Sequence, residues 1–234
     1  MIKVIYKNIN INMKKIILTL SIIFLSILSY GQLLEYPQKI DSNNQIIVHK
    51  AYVLSYNETC EQANWVKYMV TKIELASDDA KRKNNFKEDE LITTGSASLD
   101  DYKGSGYDRG HLAPAASFVN DQEEMDESFY MSNISPQEPS FNRGIWKRLE
   151  NYERELANQH DTIYVITGGV LNGDLQTIGD NEVCVPKLYF KIIYNKDFVM
   201  CFIINNKKSN DPLNMYKHPM KLVEKISGLK FKLN

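Results

Sequence analysis

The chain has few cysteines, no excess of basic charge, and no long apolar run after its first thirty residues. Its three cysteines do not have the spacing of a zinc site. The net charge of -1 and pI near 6.4 argue against a protein that holds polyanions by bulk electrostatics, because such domains usually carry a basic excess. Repeats, heptads and low-complexity tracts are also absent, which excludes coiled coils and repeat arrays. Any polyanionic partner must therefore be held by local groups or by a metal.

The length and composition fit one globular domain behind an export signal. The chain has 234 residues, of which 43% are hydrophobic, enough to bury a core. From Met13 it reads two lysines, an apolar run over 16–28 and small residues before Gln32. This pattern predicts a signal peptide over 1–31, with Met13 as the true start, and a single mature domain over 32–234. A membrane anchor is the alternative. We expect a secreted or periplasmic protein with no membrane contact after cleavage.

Three cysteines are an odd number for an exported protein. A strand hairpin over 189–204 would place Cys184 beyond the register of Cys201, so a bridge between these two is not expected. We predict that Cys60, Cys184 and Cys201 are small buried or half-buried thiols.

The apolar patterns predict an α+β fold with a mainly antiparallel sheet rather than a doubly wound one, because strands follow one another with few helices between them. Alternation of Val66, Tyr68 and Val70 with polar or exposed positions indicates a half-buried strand. Gly228 is placed to end a last helix. The predicted strands are 45–56, 65–75, 130–135 (ending at Pro136), 162–170, 183–194 and 198–204, and the predicted helices are 121–128, 140–158 and 219–227.

The most informative stretch is Gly106–Pro114, which places an acid, a guanidinium and an imidazole within four positions. In a strand, Arg109 and His111 would share one face, while Asp108 and Gly110 would share the other. A guanidinium beside a neutral imidazole suits a phosphate with a water next to it. A polar turn is the alternative for these four residues.

A second group of polar residues lies on the helix predicted from Ser140. Asn142, Trp146, Glu150 and Arg154 are each four residues apart and could all border one groove. Asn142 could instead be only the N-cap of this helix. Glu150 and Arg154 could be an ordinary surface pair.

These stretches together resemble the DNA/RNA non-specific endonucleases, whose active site is a ββα-metal fold. The resemblance covers about residues 45–231, in the family's order and spacing. It is carried by SGYDRGHLAPAASF (105–118), MSNISPQ (131–137), FNRGIWKRLE and NYER (141–154), YVITGGVL (164–171), VPKLYFKIIY (185–194) and EKISGLKF (224–231).

The resemblance implies a role for each matching residue. His111 would be the general base, and Asn142 the direct protein ligand of one Mg²⁺, which Mn²⁺ could replace. Glu150 would act on the metal through water, and Arg109 and Arg154 would contact phosphate. The implied catalytic set is therefore His111, Arg109 and Glu150. Asp108 is assigned to substrate binding, where it would orient its neighbours or only shape the turn.

The leading hypothesis is a secreted, Mg²⁺-dependent endonuclease that cuts DNA and RNA with little sequence preference, since phosphate contacts position a nucleic acid without reading it. One alternative is a catalytically silent nucleic-acid-binding module on the same fold. Another is a phosphodiesterase acting on small esters, which would need a closed pocket. Oligomeric state cannot be predicted from the sequence.

Overall fold

A computed structural model describes residues 35–37 and 44–232 of the chain. The chain divides into two units, of which one, Tyr36–Lys230, carries the fold. The other comprises residues 1–35 and 231–234 and is described only at three positions; there the Glu35 amide donates a hydrogen bond to the Lys232 carbonyl. The predicted signal peptide over 1–31 and its start at Met13 lie outside the described residues. Within the described part, no helix is both long and apolar enough to cross a membrane.

A seven-stranded antiparallel sheet forms the centre of the fold, which confirms the predicted α+β class. Val66, Tyr68 and Val70 point into the core and alternate with Lys67 and Met69, as predicted. The strands in sheet order are β1 (Gln45–Val48), β2 (Tyr52–Asn57), β3 (Gln62–Thr71), β6 (Thr162–Gly169), β9 (Leu188–Tyr194), β10 (Val199–Asn205) and β11 (Lys217–His218).

The single strand predicted over 45–56 is wrong, because the structure has two strands here, β1 and β2, which pair as a hairpin. The His49 amide donates to the Tyr52 carbonyl at 2.9 Å and closes the turn. The His49 side chain is buried and hydrogen-bonded to Asp89, with 2.8 Å between Nε2 and Oδ2. The turn contains neither Gly nor Pro, so the sequence did not mark it.

Strand β3 also differs in its bounds from the predicted strand. It ends at Thr71, and a short helix, α1 (Lys72–Leu75), replaces the rest of the predicted strand. The Thr71 hydroxyl accepts a hydrogen bond from the Glu74 amide at 3.1 Å. This side-chain cap explains why the backbone turns helical at that point.

The long helix α4 (Lys147–His160) packs against this sheet through Leu149, Leu156 and Ala157. Its buried face also carries a fully buried carboxylate, Glu153, whose Oε2 lies 2.7 Å from Nζ of Lys191 on β9. Buried charges of this kind require a partner. The pair therefore fixes where the helix sits on the sheet.

A small antiparallel sheet of two strands, β4 (Asp108–His111) and β5 (Ile134–Gln137), precedes this helix in the chain. Together the three elements form a strand–strand–helix arrangement. The strand predicted over 130–135 is partly wrong. A 3₁₀ turn occupies Met131–Asn133, and the strand begins at Ile134 and runs through Pro136. Proline is tolerated because a two-stranded sheet consists only of edges.

Part of the remaining secondary structure follows the predictions, but the strand predicted over 183–194 is divided into two. β9 and β10 form the expected hairpin, while Val183–Cys184 (β8) pairs separately with Thr177–Ile178 (β7). The other helices are α2 (Leu99–Tyr102), α3 (Gln122–Glu127) and α5 (Met220–Ser227), with 3₁₀ turns at Ala115–Ser117 and Leu213–Tyr216. Gly228 ends α5 with a φ of 71°, as predicted.

The prediction of three thiols is wrong for two of them, since Cys60 and Cys184 form a disulfide across a sequence separation of 124 residues. The turn between β2 and β3 brings Cys60 beside β8, where the Cys184 amide donates to the Cys60 carbonyl at 3.2 Å. Cys201 is a buried thiol, and Cys184 does not pair with it, as expected.

Candidate active site

A cavity of about 450 Å³ opens where β4 meets the long helix. The structure brings five of the six predicted site residues together around it: Arg109, His111, Asn142, Glu150 and Arg154. Asp108 does not line this cavity but contacts residues that do.

Strand alternation orients the β4 residues as the sequence predicted. Arg109 and His111 both face the cavity, and Gly110 faces the side chain of Gln137. A Cβ atom at Gly110 would lie 2.1 Å from the Gln137 Cδ. A larger residue at Gly110 would therefore require the buried Gln137 side chain to move.

The His111 imidazole is buried between two aromatic rings, with ring-centroid distances of 5.5 Å to Phe86 and 4.9 Å to Phe129. The Trp146 indole donates to the His111 carbonyl at 3.3 Å and holds its backbone. Burial, together with Arg82 and Arg109, lowers the pKa of His111 to about 3. The ring is therefore neutral near pH 7, and its Nε2 has no hydrogen-bond partner among the described residues.

Asn142 is not the N-cap of its helix, so the capping alternative is wrong. It is the second residue of a kinked helical segment, Phe141–Trp146, and its amide already donates to the Glu138 carbonyl at 2.9 Å. Its side-chain Nδ2 donates to Asp108 at 2.9 Å. Because the carboxamide is planar, this bond turns Oδ1 away from Asp108, and Asn142 is among the residues that line the cavity.

Asp108 orients its neighbours instead of only shaping a turn. Its carboxylate accepts hydrogen bonds from Arg143, at 2.8 Å from Nε and 2.6 Å from Nη2, in addition to the one from Asn142. The same contact raises the pKa of Arg143. With both oxygens occupied, Asp108 is placed to position Asn142 and Arg143; its assignment to substrate binding stays a prediction.

Glu150 and Arg154 do not form the simple surface pair considered above, since the described residues show no ion pair within 4.0 Å between them. Arg154 Nη2 donates to Asn151 Oδ1 at 2.6 Å, and its buried Nη1 has no hydrogen-bond partner in the described region. Burial raises the pKa of the half-buried Glu150 to about 7, and Lys191 opposes this shift.

Trp146 does not border the groove, contrary to the prediction. Its side chain is fully buried, and Lys191 Nζ lies 4.9 Å from the ring centroid. Gly144, with φ and ψ both at -106°, breaks the regular helix between Asn142 and Trp146. The two side chains therefore point in different directions despite their four-residue spacing.

Three basic residues of the cavity were missed by the sequence analysis. Arg82 packs over the Phe129 ring at 5.1 Å, and Arg143 and Lys147 lie on the helix side. The cluster Lys81–Lys83 was a visible signal for Arg82, and both Arg143 and Lys147 lie inside the matched motif over 141–154.

The donor set fits a hard cation that keeps much of its water. Among the described residues, no group of three or more His, Cys, Asp or Glu side chains is placed to hold a metal ion. Asn142 and Glu150 offer an amide oxygen and a carboxylate at the same cavity. Mg²⁺ is held in this way, by few protein oxygens plus waters and substrate phosphate, whereas a structural zinc site needs four ligands.

A neutral imidazole, a carboxylate and several guanidinium groups around one cavity define a site for a phosphate ester and an attacking water. The family model of the DNA/RNA non-specific endonucleases matches residues 29–234. The chain therefore belongs to this family, and it is an endonuclease that hydrolyses nucleic acids. Members of the family are metal dependent.

Individual relatives agree with this assignment. Human mitochondrial endonuclease G is 33% identical over 205 residues, which are 80% of this chain and 69% of the human protein. Nuclease C1 of Cunninghamella echinulata var. echinulata is 36% identical over 205 residues, covering 78% of this chain and 80% of that nuclease. A chain in the crystal structure of the EndoG/EndoGI complex matches with a TM-score of 0.76 and 33% identity, over 81% of this chain and 86% of that one.

Proposed function

We propose that this protein is an exported, Mg²⁺-dependent endonuclease that cuts DNA and RNA with little sequence preference. In this proposal His111 is the general base, Asn142 holds the metal directly and Glu150 holds it through water. Arg109 and Arg154 bind the phosphate.

The observation that carries the proposal is the state of His111. Its pKa of about 3 keeps the ring neutral, and its Nε2 has no protein partner among the described residues. A neutral imidazole nitrogen can take a proton from water. The aromatic rings of Phe86 and Phe129 hold this base in one orientation, which general-base catalysis requires.

The rest of the cavity supplies charge for the phosphoryl oxygens. Arg154 keeps an unpartnered Nη1 within the described region, and the guanidinium of Arg109 is exposed beside it in the same cavity. Such groups stabilise negative charge that grows in the transition state. A bound Mg²⁺ would neutralise further charge on the phosphate and lower the pKa of water. Asp108 contributes by holding Asn142 and Arg143 in place.

The disulfide supports export. Cys60–Cys184 is the kind of bond that persists in oxidising compartments and is rare in reducing ones. It agrees with the signal pattern over 1–31, so we propose that the mature protein begins at Gln32 and is secreted or periplasmic.

A polymeric substrate is favoured over a small ester because the cavity is not closed. It continues into a neighbouring cavity that shares Arg109, Asn142 and Arg143 with it. No base-reading element was evident in the sequence, so contacts with the phosphate backbone should dominate and give little sequence preference.

The test uses the purified mature chain with plasmid DNA, with RNA and with a small aryl phosphodiester, each with Mg²⁺ or with EDTA. We expect cleavage of both polymers in Mg²⁺, none in EDTA, and little turnover of the small ester. Faster turnover of the small ester than of the polymers would overturn the proposal. Cleavage that persists in EDTA would refute the proposed requirement for Mg²⁺.

A further inference from the structure

A groove leads away from the candidate active site. The cavity that shares Arg109, Asn142 and Arg143 with it has a volume of about 500 Å³ and also reaches Tyr107. Beyond it lies a third cavity of about 210 Å³, whose lining includes Tyr107, Lys187, Asn206 and Lys207. Because Tyr107 lines both of these cavities, it lies between the second and the third along this path.

Tyr107 contributes an aromatic side chain to both cavities, and it also packs against the apolar cluster that contains Met131 and Ile134. It follows Gly106, whose φ is 84°, and its amide donates to the Ser105 hydroxyl at 3.2 Å, so the turn that carries it is fixed. Its half-buried ring stacks on no other ring in the described part of the chain. Two other aromatic side chains line the second cavity: Tyr102 is buried, and the Arg109 guanidinium covers the Phe86 ring at 4.4 Å.

Spare positive charge continues along the same path. Lys103 lines the second cavity, and Lys187 and Lys207 line the third. None of these lysines forms an ion pair within 4.0 Å with a carboxylate of the described residues. Lys187 Nζ instead donates to the backbone carbonyl of Asp174 at 3.1 Å.

Two acidic groups line the second cavity, and none is among the residues that line the third. Asp108 is neutralised by Arg143, with 2.6 Å between Oδ1 and Nη2. Asp100 is exposed at the rim of the second cavity. An aromatic face followed by unpaired cations is the combination that binds single-stranded nucleic acid, since bases stack and phosphates find counter-charges.

We propose that this groove is a nucleotide subsite of the endonuclease, in which an unpaired base next to the scissile phosphate stacks on Tyr107. The following phosphate lies at Lys187 and Lys207. The inference rests on the proposed function and adds a strand preference to it. A base can stack on Tyr107 only when it has left its duplex partner, so the groove favours single-stranded or locally melted substrate.

The first test maps cleavage of an end-labelled, single-stranded oligonucleotide that carries one abasic residue. We expect the parent to cut every phosphate of this strand, but one of them more slowly. At that phosphate, which lies at a fixed offset from the abasic residue, kcat/KM should be about 5- to 150-fold lower. Cutting elsewhere on the same strand is the internal control. In Tyr107→Leu, which keeps apolar volume but loses the flat ring, this dip should vanish, while Tyr107→Phe should retain it.

The outcomes separate the two proposals. If the parent cuts nothing, the proposed function is refuted, and the subsite proposal, which depends on it, is refuted as well. If the parent cuts the strand evenly past the abasic residue, or Tyr107→Leu keeps the same dip in a protein of unchanged melting temperature, the subsite alone is refuted.

A second test addresses the lysines through salt dependence. In an inactive His111→Ala background, log Kd for single-stranded DNA is measured against log salt. Replacing both Lys187 and Lys207 by Gln should make the slope shallower by about 1.4, at about 0.7 for each phosphate contact. The matched control changes Lys221 and Lys225, two exposed lysines of α5, to Gln and should leave the slope unchanged. Equal slopes for the two double variants would refute the phosphate path.

Discussion

The buried imidazole of His111 makes a specific prediction about stability in acid. Burial lowers its folded-state pKa to about 3, from an ordinary value of 6.5. Between these two values the unfolded chain binds a proton that the folded chain does not. Stability from this group is therefore fully present above pH 6.5 and is lost as the pH falls towards 3. His111→Gln removes this titration and keeps a polar side chain of similar size.

The size of the effect follows from the pKa shift. At pH 5 the solution is about 1.5 pH units below the unfolded pKa and still well above the folded one. With about 1.36 kcal/mol for each unit, the parent should lose about 2 kcal/mol of unfolding free energy through His111 between pH 8 and pH 5. The His111→Gln variant should not show this part of the loss.

Urea denaturation at pH 8 and pH 5, in EDTA and with the disulfide oxidised, measures the difference. The relevant quantity is the loss of unfolding free energy between pH 8 and pH 5 in the parent minus the same loss in the variant. All other titrating groups are common to both proteins and cancel in this difference. His111→Asn provides a second non-titrating variant. A difference near zero in both variants would mean that His111 takes up a proton in the folded protein, and the argument for a neutral base would fail.

Four further predictions concern activity, stability and processing. His111→Ala should lower turnover about 10²- to 10⁴-fold with substrate binding retained, measured by single-turnover plasmid cleavage. Asn142→Ala should abolish Mg²⁺-dependent cleavage, and the loss of one hydrogen bond should lower the unfolding free energy by about 0.5–1.5 kcal/mol. If this variant still cuts at the parent rate, Asn142 is not the metal ligand. Lys191→Met should lower the unfolding free energy measured in urea by about 3–5 kcal/mol, because it leaves the buried Glu153 carboxylate without its counter-charge, and adding Glu153→Gln should recover much of this. Intact mass of exported material should correspond to a chain that begins at Gln32.

Much of the fold could be predicted because local patterns and long-range packing agree. Nearby residues determine the alternation around Tyr68, the β9–β10 hairpin and the end of the last helix at Gly228. The errors occurred where distant contacts decide. The turn at His49 is fixed by Asp89, which is 40 residues away. The disulfide partner of Cys60 is 124 residues away, a distance over which sequence spacing carries no geometric information.

The site was predicted largely through the resemblance to a family, and physical reasoning on its own supported only parts of it. Strand alternation placed Arg109 and His111 on one face, as the structure shows. It could not show that Phe86 and Phe129 surround the imidazole, because neither is near it in sequence. Arg82 was visible only as part of a basic cluster, since its place at the cavity depends on tertiary packing.

The irregular turn at Gly144 explains why one side of the site could not be predicted from helical spacing. In a regular helix Asn142 and Trp146 would share a face, so either the indole would enter the cavity or the carboxamide would be buried. The break at Gly144 separates them: Asn142 faces the cavity, while the buried Trp146 donates to the His111 carbonyl. One backbone irregularity thus orients the candidate metal ligand and supports the strand that carries the candidate base.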